Sequence, residues 1–577
     1  MANMEYHYDS ETSADDLDSH SEHDSDDYTT DSDVYDDDLD IEPVASSWAR
    51  VYPPEGIDCG SDLVFTQRNV GPLGIPNRNS QPIEYFSLFI TDDIIDILVR
   101  ETNIYANRFL ASKEEWIREH PRSKYRIWKP VTHERMKKFL ALSLLMGLIK
   151  VQDIKDFWST FRSTRIPFFG ETMPRDEYLL ISRFLHLNDN TLNKPRGDPQ
   201  YDPWFRVRPL LDSCNKLFKD HYNLQQTISL DESMIGMRNR CAFIQYMPNK
   251  RHCRYGIKKF ELCEASTGYV YHIDLYSGRD FYATGSQQGF THTVVMNIME
   301  KSKVLNKGYH LITDNFYTKI PLAEALLIQK TSLTGTIKIN SKFLPQILVK
   351  QKLSTGETVY VRKGKLLTCG FKEKATRKPV YLLTTYAHAE NVTLQTRHGE
   401  KIKPKVINDY NVGMGGVDLS DKKLYHYAAQ RSTRRYWKKI YSNLIDVSVL
   451  NAYIIYQQNT DRPFKRDDFL RDIIECLSIP DAASYPLIPQ SPGSRLSNSP
   501  GRNPIPVSSP GSSHVYARLD GCKQRLCAVC PKRSKHWCPG CNAGIHEQCW
   551  PKLQHYFRVK GRPKRKHEDN DEHEDCQ

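Results

Sequence analysis

The sequence predicts a multidomain α/β protein, and three observations carry this. Residues 81 to 226 recur at helical spacing. Strand-like runs at 227–231, 257–263, 269–276 and 309–313 are followed by alternating helix and strand. A Pro/Ser/Gly-rich stretch then separates these from a terminal cluster of Cys and His. Strands mixed with alternating helices belong to a layered α/β domain. At 577 residues the chain exceeds one ordinary domain, and roughly 150 residues per domain suggests about four.

Taken in order, residues 1–42 are Asp, Ser and Tyr with almost no aliphatic side chains. They cannot bury enough apolar area to offset chain entropy and are predicted to be disordered. Thr12, Ser13, Ser19, Ser21 and Thr30 each have an acid three residues on, which suits an acid-directed kinase. An irregular arm follows, completing a segment 1–80. Phe86, Leu88, Phe89, Ile94, Ile95, Ile97 and Leu98 repeat every three or four residues. Met136, Phe139, Leu140, Leu144 and Met146 do the same after Pro130 and Thr132, and a third such stretch covers 175–187. These predict an all-helical domain over 81–226, completed by 428–485.

The apolar runs TISLD, IKKFELC, YVYHIDLY and YHLIT, a hairpin turn at Ser266-Thr267-Gly268 and helices over 291–304 and 321–329 predict the α/β domain. It covers 227–340 and is completed by 405–427. Residues 341–404, with strands at 357–362 and 379–386 and many turns, predict a β-rich insertion. Residues 417–458 return to helix. A Pro/Ser-rich linker spans 486–520, a Cys/His segment 521–558 and a basic tail with an acidic end 559–577.

Composition excludes several classes. The longest apolar run, Phe139–Ile149, is too short to span a bilayer, so no membrane is expected as a partner. The acidic N-terminus is neither a secretory signal nor a transit peptide. Of the 14 cysteines, six fall within 522–549, and without an export signal that clustering favours metal over disulfides. The net charge of +10 hides an asymmetry. Residues 1–42 hold 17 Asp/Glu and no Lys or Arg, so the remaining 53 acids face all 80 cations and leave +27. A basic body between acidic ends points to a polyanion, with nucleic acid first.

Asp231 follows the apolar strand Ile228–Leu230, and Asp314 follows Leu311-Ile312-Thr313. Active sites of open α/β sheets lie at strand ends. Asp418 follows Gly415-Gly416-Val417, with Asp421 three residues on. A helix starting there puts both acids on one face, and the glycines permit close backbone approach. Converging carboxylates repel one another unless a cation joins them, and hard oxygen donors suit Mg²⁺ or Mn²⁺. The bland alternative for an aspartate after a strand is a turn former or helix cap.

The stretch SLDESMIGMRNRCAFIQYMPNKRHCRYGIKKFELCE (229–264), with ITDNFYTKIPLAEALL (312–327) and DYNVGMGGVDLSDKK (409–423), resembles the piggyBac family of DNA transposases. The similarity runs in order from about residue 81 to 556. It implies a ribonuclease H-like core in which Asp231, Asp314 and Asp418 are the catalytic triad, with Asp421 a fourth carboxylate at two Mg²⁺ or Mn²⁺ ions. It implies cleavage of DNA at transposon ends, joining of each 3′-OH to a TTAA target, and a donor site left seamless through hairpin ends. The helical domain becomes a dimerisation and DNA-binding domain, a homodimer holds both ends, and the protein acts in the nucleus. Arg238, Arg240 and Lys338 match residues that hold DNA. Where the family has a further basic residue, this chain has Ser341, with Lys342 adjacent.

Trp437 lies in Arg434-Arg435-Tyr436-Trp437-Lys438-Lys439. Aromatics among cations suit stacking on an unpaired base, and the alternative is a helix whose rings pack inward. The resemblance places a Trp here beside flanking DNA.

Cys527, Cys530, Cys538, Cys541, His546, Cys549 and His555 have zinc spacing. Seven candidates are one short of two ions, and Cys522 or His536 supplies the eighth. A crossed arrangement puts Cys527, Cys530, His546 and Cys549 on one Zn²⁺, and Cys538, Cys541 and His555 on the other. The family uses such a module on transposon-end DNA, and a protein-binding finger is the competing use. In the tail, Lys560, Arg562, Lys564 and Arg565 flank Gly561 and Pro563 in an AT-hook-like run that also fits nuclear import. Two other readings remain: a domesticated, non-catalytic DNA-binding protein, and a ribonuclease H-like nuclease of another purpose.

Overall fold

The strand-forming runs gather into one ten-stranded sheet. The computed structural model describes residues 47–56, 63–238, 241–248, 250, 253–278, 288–396, 399–428 and 433–479 in one unit. In a second unit it describes 517–518, 525–526, 533–538 and 543–544.

The strands of the first unit are β1 (Ala49–Val51), β2 (Gly71–Pro72), β3 (Tyr222–Asn223), β4 (Thr227–Gly236), β5 (Ile244–Tyr246), β6 (Tyr255–Glu264) and β7 (Val270–Leu275). They continue with β8 (His310–Thr313), β9 (Ser332–Thr336), β10 (Thr358–Lys363), β11 (Leu366–Phe371), β12 (Val380–Thr384), β13 (Asn391–Thr396) and β14 (Gly399–Pro404). The order in the sheet is β1-β10-β11-β12-β9-β8-β4-β6-β5, with β7 also on β6. β4, β6 and β7 run antiparallel in succession, whereas β8 and β9 run parallel to β4. All four residues of β8 are buried, as expected for a parallel strand covered on both faces.

Seven helices precede β4: α1 (Pro82–Ser87), α2 (Asp92–Ser112), α3 (Glu114–Glu119), α4 (His133–Leu148), α5 (Pro167–Thr172), α6 (Arg175–Phe184) and α7 (Arg208–Asp220). Thr91 and Thr132 cap α2 and α4, each accepting a hydrogen bond from the third residue on. Between and after the strands come α8 (Phe290–Lys301), α9 (Ile320–Ile328), α10 (Gln346–Val349), α11 (Lys405–Gly413), α12 (Gly416–Tyr427), α13 (Tyr436–Gln458) and α14 (Arg466–Ser478). The helix expected over 417–458 is thus two, α12 and α13. α13 is buried on nearly all sides, the signature of a helix enclosed by others. It returns to the first helices: Tyr456 packs edge-on against Tyr85 at 5.3 Å, and Asn459 donates to the Tyr85 hydroxyl at 2.8 Å.

Two findings differ from the sequence reading. The strands within 341–404 do not stand apart as an insertion, because β12 pairs with β9 and carries β11 and β10 into the central sheet. Only the β13–β14 hairpin is separate. The arm before residue 80 is also partly tied down: β1 extends the sheet on β10, and β2 pairs with β3.

The outer edge of β7 is covered by two asparagines. Asn215 of α7 accepts from the Ile273 N–H at 2.8 Å and donates to its carbonyl at 2.9 Å. Asn451 of α13 does the same for Val270, at 3.0 and 2.8 Å. Strand edges left bare are templates for unwanted pairing, and here side chains complete the ladder.

In the second unit, Ala517–Arg518 pairs with His536–Cys538, which pairs with Ala543–Gly544, and Arg525–Leu526 pairs with Arg533–Ser534.

Candidate active site

β4 and β8 lie side by side and parallel, with Leu230 opposite Thr313. Parallel pairing stops there, and the next residues are Asp231 and Asp314; Asp314 follows the end of β8 as expected, whereas Asp231 lies inside β4, which runs on to Gly236 against β6. Asp314 also turns the chain. Its Oδ1 accepts from the Phe316 N–H at 2.9 Å, and its carbonyl accepts from the Thr318 hydroxyl at 2.7 Å. The turn-forming and site-forming roles therefore coexist in one residue. Gly335 of β9 makes the room, because a Cβ there would lie 2.0 Å from the Thr318 hydroxyl and 2.5 Å from the Thr313 carbonyl.

α12 brings Asp418 in its first turn and Asp421 one turn on. Gly416 lets this helix lie on the sheet: a Cβ would fall 2.2 Å from Ser229 Oγ and 3.0 Å from the Glu264 carbonyl oxygen. Gly415 has nothing within 4 Å of its Cβ position, so only one of the two glycines is needed for close approach. Ser233, two residues past Asp231 on the same face of β4, donates to Asp421 Oδ1 at 2.6 Å. Asp418 is mostly exposed, with the Lys250 ammonium 3.9 Å from its Oδ1. Lys250 in turn donates to the Glu232 carbonyl at 2.8 Å.

Sequence reasoning missed several charged neighbours. Glu232 is buried and pairs with Lys258 at 3.3 Å. Lys259 and Glu261, two apart on β6, form a fully buried ion pair opposite Ser233 and Asp231. The available signal was that two-residue spacing of opposite charges inside an otherwise apolar strand, which places both on one face.

The electrostatics follow from this crowding. Burial, then the neighbouring Glu232 carboxylate, pushes Asp231 well above the usual carboxyl range. The same two causes raise Asp314 to about 6. Burial raises Asp421 against the opposing effects of Lys259 and the Ser233 hydroxyl. Burial works to lower Lys250, but Asp231, Asp418, Asp421 and Glu232 together hold it above its ordinary value. The edge is therefore short of positive charge, and the donors are hard oxygens of the kind Mg²⁺ and Mn²⁺ take. Among the described residues, no three His, Cys, Asp or Glu side chains are drawn close enough to hold a metal ion, and Lys250 is the cation that faces all four aspartates.

Arg238 is exposed two residues past β4, and Lys338 is exposed two residues past β9. Because β8 and β9 are parallel, Lys338 leaves the sheet at the end that carries Asp314, whereas β4 runs on and Arg238 leaves it seven residues beyond Asp231. Ser341 N–H donates to the Lys338 carbonyl at 2.9 Å. Arg240 lies outside the described residues.

Trp437 takes the inward-packed alternative rather than the exposed one. It is 1% exposed, with its ring 4.9 Å from that of His186. Its neighbour Lys438 is half-buried on the last carbonyls of α6, donating to those of Ser182 and Arg183. Burial, then Arg435 and Arg183, lowers that ammonium to about 7. The spacing of an aromatic among cations could not reveal that α13 is enclosed at this point.

Of the zinc candidates, Cys538 closes the strand His536–Cys538 and His536 lies on it, while Cys522, Cys527, Cys530, Cys541, His546, Cys549 and His555 fall outside the described residues. Lys560, Arg562, Lys564 and Arg565 also lie outside them. Among the described residues, no helix is long and apolar enough to cross a membrane.

A mixed α/β core brings Asp231 of β4 beside Asp314, which follows the parallel strand β8. A family model described as Transposase IS4 matches residues 81–453, most of the chain, and the chain belongs to that transposase family. Within it, the chain is piggyBac-like. It is 24% identical over 481 residues to human PiggyBac transposable element-derived protein 3, covering 81% of this chain and 75% of that one. It is 22% identical over 447 residues to human PiggyBac transposable element-derived protein 2, covering 73% and 70%. The fold resembles that of a piggyBac transposase in a synaptic complex with hairpin DNA, with a TM-score of 0.61 and 24% identity over 71% of this chain and 83% of that one.

Proposed function

We propose that this chain is a cut-and-paste DNA transposase whose catalytic residues are Asp231, Asp314 and Asp418. The observation that carries the reading is the register of β4 against β8, which delivers two aspartates together where parallel pairing stops. A ribonuclease H-like core is supported by the order β7-β6-β4-β8-β9, three antiparallel strands followed by two parallel to the first.

In this reading Asp231, Asp314 and Asp418, with Asp421 in support, hold two Mg²⁺ or Mn²⁺. Bound there, the ions stabilise the attacking and leaving oxygens of an in-line displacement at phosphorus. The chain's own groups orient these acids: the Phe316 N–H fixes Asp314, and the Ser233 hydroxyl fixes Asp421. Lys250 and Lys338 offer positive charge to the DNA backbone near the aspartates and Arg238 offers it beyond the end of β4; the resemblance gives Arg240 the same role.

The substrates are transposon ends and a TTAA target. A homodimer holds the two ends, the Cys/His module with two Zn²⁺ recognises them, and the basic tail carries the protein to the nucleus or reads A·T-rich minor groove. The DNA complex named for the similar fold supports a DNA substrate here. A second reading, a domesticated protein that binds DNA without cutting it, is favoured by the relatives' being named as transposable element-derived.

The test is Mg²⁺- or Mn²⁺-dependent nicking and joining of the cognate end duplex by the full chain, with binding measured in parallel in Ca²⁺. Nicking followed by joining is expected. Binding without nicking would replace the first reading by the second.

A further inference from the structure

β4, β6 and β7 place Asp231, Glu261 and Ile273 side by side, so these share one face of the sheet and His272 points to the other. On that opposite face, walled by α7, β7 and the turn after α8, lies a cavity of about 700 Å³.

Two polar side chains line it without partners. His272 is 5% exposed and Ser302 0%, and neither the imidazole nitrogens nor the hydroxyl makes a hydrogen bond. Leaving a buried polar group unpaired costs about 1–3 kcal/mol, so such groups ordinarily meet a partner. Burial, the largest influence, takes His272 down to about 4, so the ring is neutral at pH 7 and presents one N–H.

The remaining lining is cationic. Asp274 is engaged by Lys301 at 2.6 Å and Asp212 lies 3.8 Å from Arg208, which leaves the ammonium groups of Lys216, Lys219, Lys303 and Lys307 in excess of the one remaining acid, Asp220. Burial and then the charge of Lys303 depress Lys219 against the smaller pull of Asp220 and Asp212, and its ammonium donates to the Lys301 carbonyl at 3.1 Å. Lys303 also has φ +56°, at the position ending α8 where Val304 N–H reaches the Met299 carbonyl at 3.3 Å. Glycine ordinarily takes that position, and a side chain there is strained by roughly 1 kcal/mol. A lysine at that position is explained if its charge is used.

We propose that this cavity binds a phosphate group, on the opposite face of the sheet from the catalytic aspartates and independently of them. Lys219 and Lys303 neutralise the phosphate, and His272 and Ser302 donate to its oxygens. The phosphate comes either from a DNA backbone or from a free phosphate compound.

The probe is inorganic pyrophosphate titrated into the full chain, followed by thermal melting and by competition with a labelled duplex lacking transposon sequence. The variant is Lys219→Gln with Lys303→Gly, which removes both charges and relieves the strained backbone. Saturable stabilisation of wild type is expected, with affinity at least tenfold weaker in the variant while its unliganded melting temperature holds or rises. Absence of saturable binding, or equal affinity in the variant, overturns the proposal. Displacement of pyrophosphate by the duplex assigns the site to DNA, and failure to displace it assigns the site to a free phosphate. Asp231→Asn should bind pyrophosphate normally, so loss of the catalytic reading would leave this site standing.

Discussion

The Lys250 ammonium lies 3.9 Å from the Asp418 carboxylate while its hydrogen bond to the Glu232 carbonyl holds it over the aspartate edge. Lys250→Gln should leave that edge with uncompensated negative charge. Because Asp418 is mostly exposed, the loss should be modest, about 0.2–1 kcal/mol. Mn²⁺ should restore more stability to the variant than it adds to wild type, since bound ligand stabilises by mass action. Thermal melts with EDTA and with Mn²⁺ check this, and equal Mn²⁺ shifts in both proteins would remove Lys250 from the site.

Asp231→Asn and Asp314→Asn should each abolish DNA cleavage, with a fall of at least about 10²–10³, yet leave the protein more stable at pH 7.5. The folded carboxyls are raised, so their contribution to stability is full below the unfolded value of 3.8 and is lost, for Asp314, as pH rises through about 6. Asparagine removes that penalty, worth roughly 2–3 kcal/mol at most for Asp314. Urea midpoints at pH 7.5 and pH 4 measure it, with the gain expected only at the higher pH. A destabilised variant, or surviving cleavage, would break the assignment.

Gly416→Ala should shift α12 off the sheet, because its Cβ would meet Ser229 Oγ at 2.2 Å. A loss of about 1–3 kcal/mol is expected, as for other overpacked sites. Gly415→Ala should be nearly neutral, since its φ is −74° and nothing lies within 4 Å. Equal melting temperatures for the two variants would contradict the packing described.

His186 and His310 are both buried, and burial is the main cause that lowers each to about 3. A depressed imidazole gives stability that is present above the unfolded value of 6.5 and is lost as pH falls toward about 3. Between pH 7.5 and 5.5 each should cost roughly 1.4 kcal/mol. His310→Gln should flatten the pH dependence of the urea midpoint over that range, and an unchanged slope would exclude His310 as a contributor.

The full chain should carry about two Zn²⁺, because short cysteine-rich segments have little core and fold with metal. Mass spectrometry under native conditions gives the count. A folded, zinc-free terminal segment would refute the ligand assignment made from spacing.

Asp231 and Asp314 were legible because each follows a short apolar run, although only Asp314 stands at a strand end, since β4 continues past Asp231 to Gly236. β8 and α9 were legible for the same reason. β9 and β11 were not, since Gly335 and Gly370 interrupt their apolar pattern and both glycines are required by contacts with residues distant along the chain, Thr318 and Thr313 for the first and Leu348 and Tyr381 for the second. Lys250 was visible as a turn residue, but its role depends on Asp418, whose side chain arrives from 168 positions later in the chain. Trp437 shows the converse: its local sequence looks solvent-facing, and only the surrounding helices enclose it.

The two asparagines along β7 have a consequence for synthesis. Asn451 reaches its strand across 181 residues of chain. At roughly 5–20 residues per second, a ribosome takes about 9–36 seconds to make that stretch. Throughout that interval Val270 has no partner for its outward amide and carbonyl, so the nascent protein exposes a strand edge that the finished molecule never shows. Fragments ending before residue 451 keep it permanently, and should cling to one another or to chaperones that the full-length chain leaves behind.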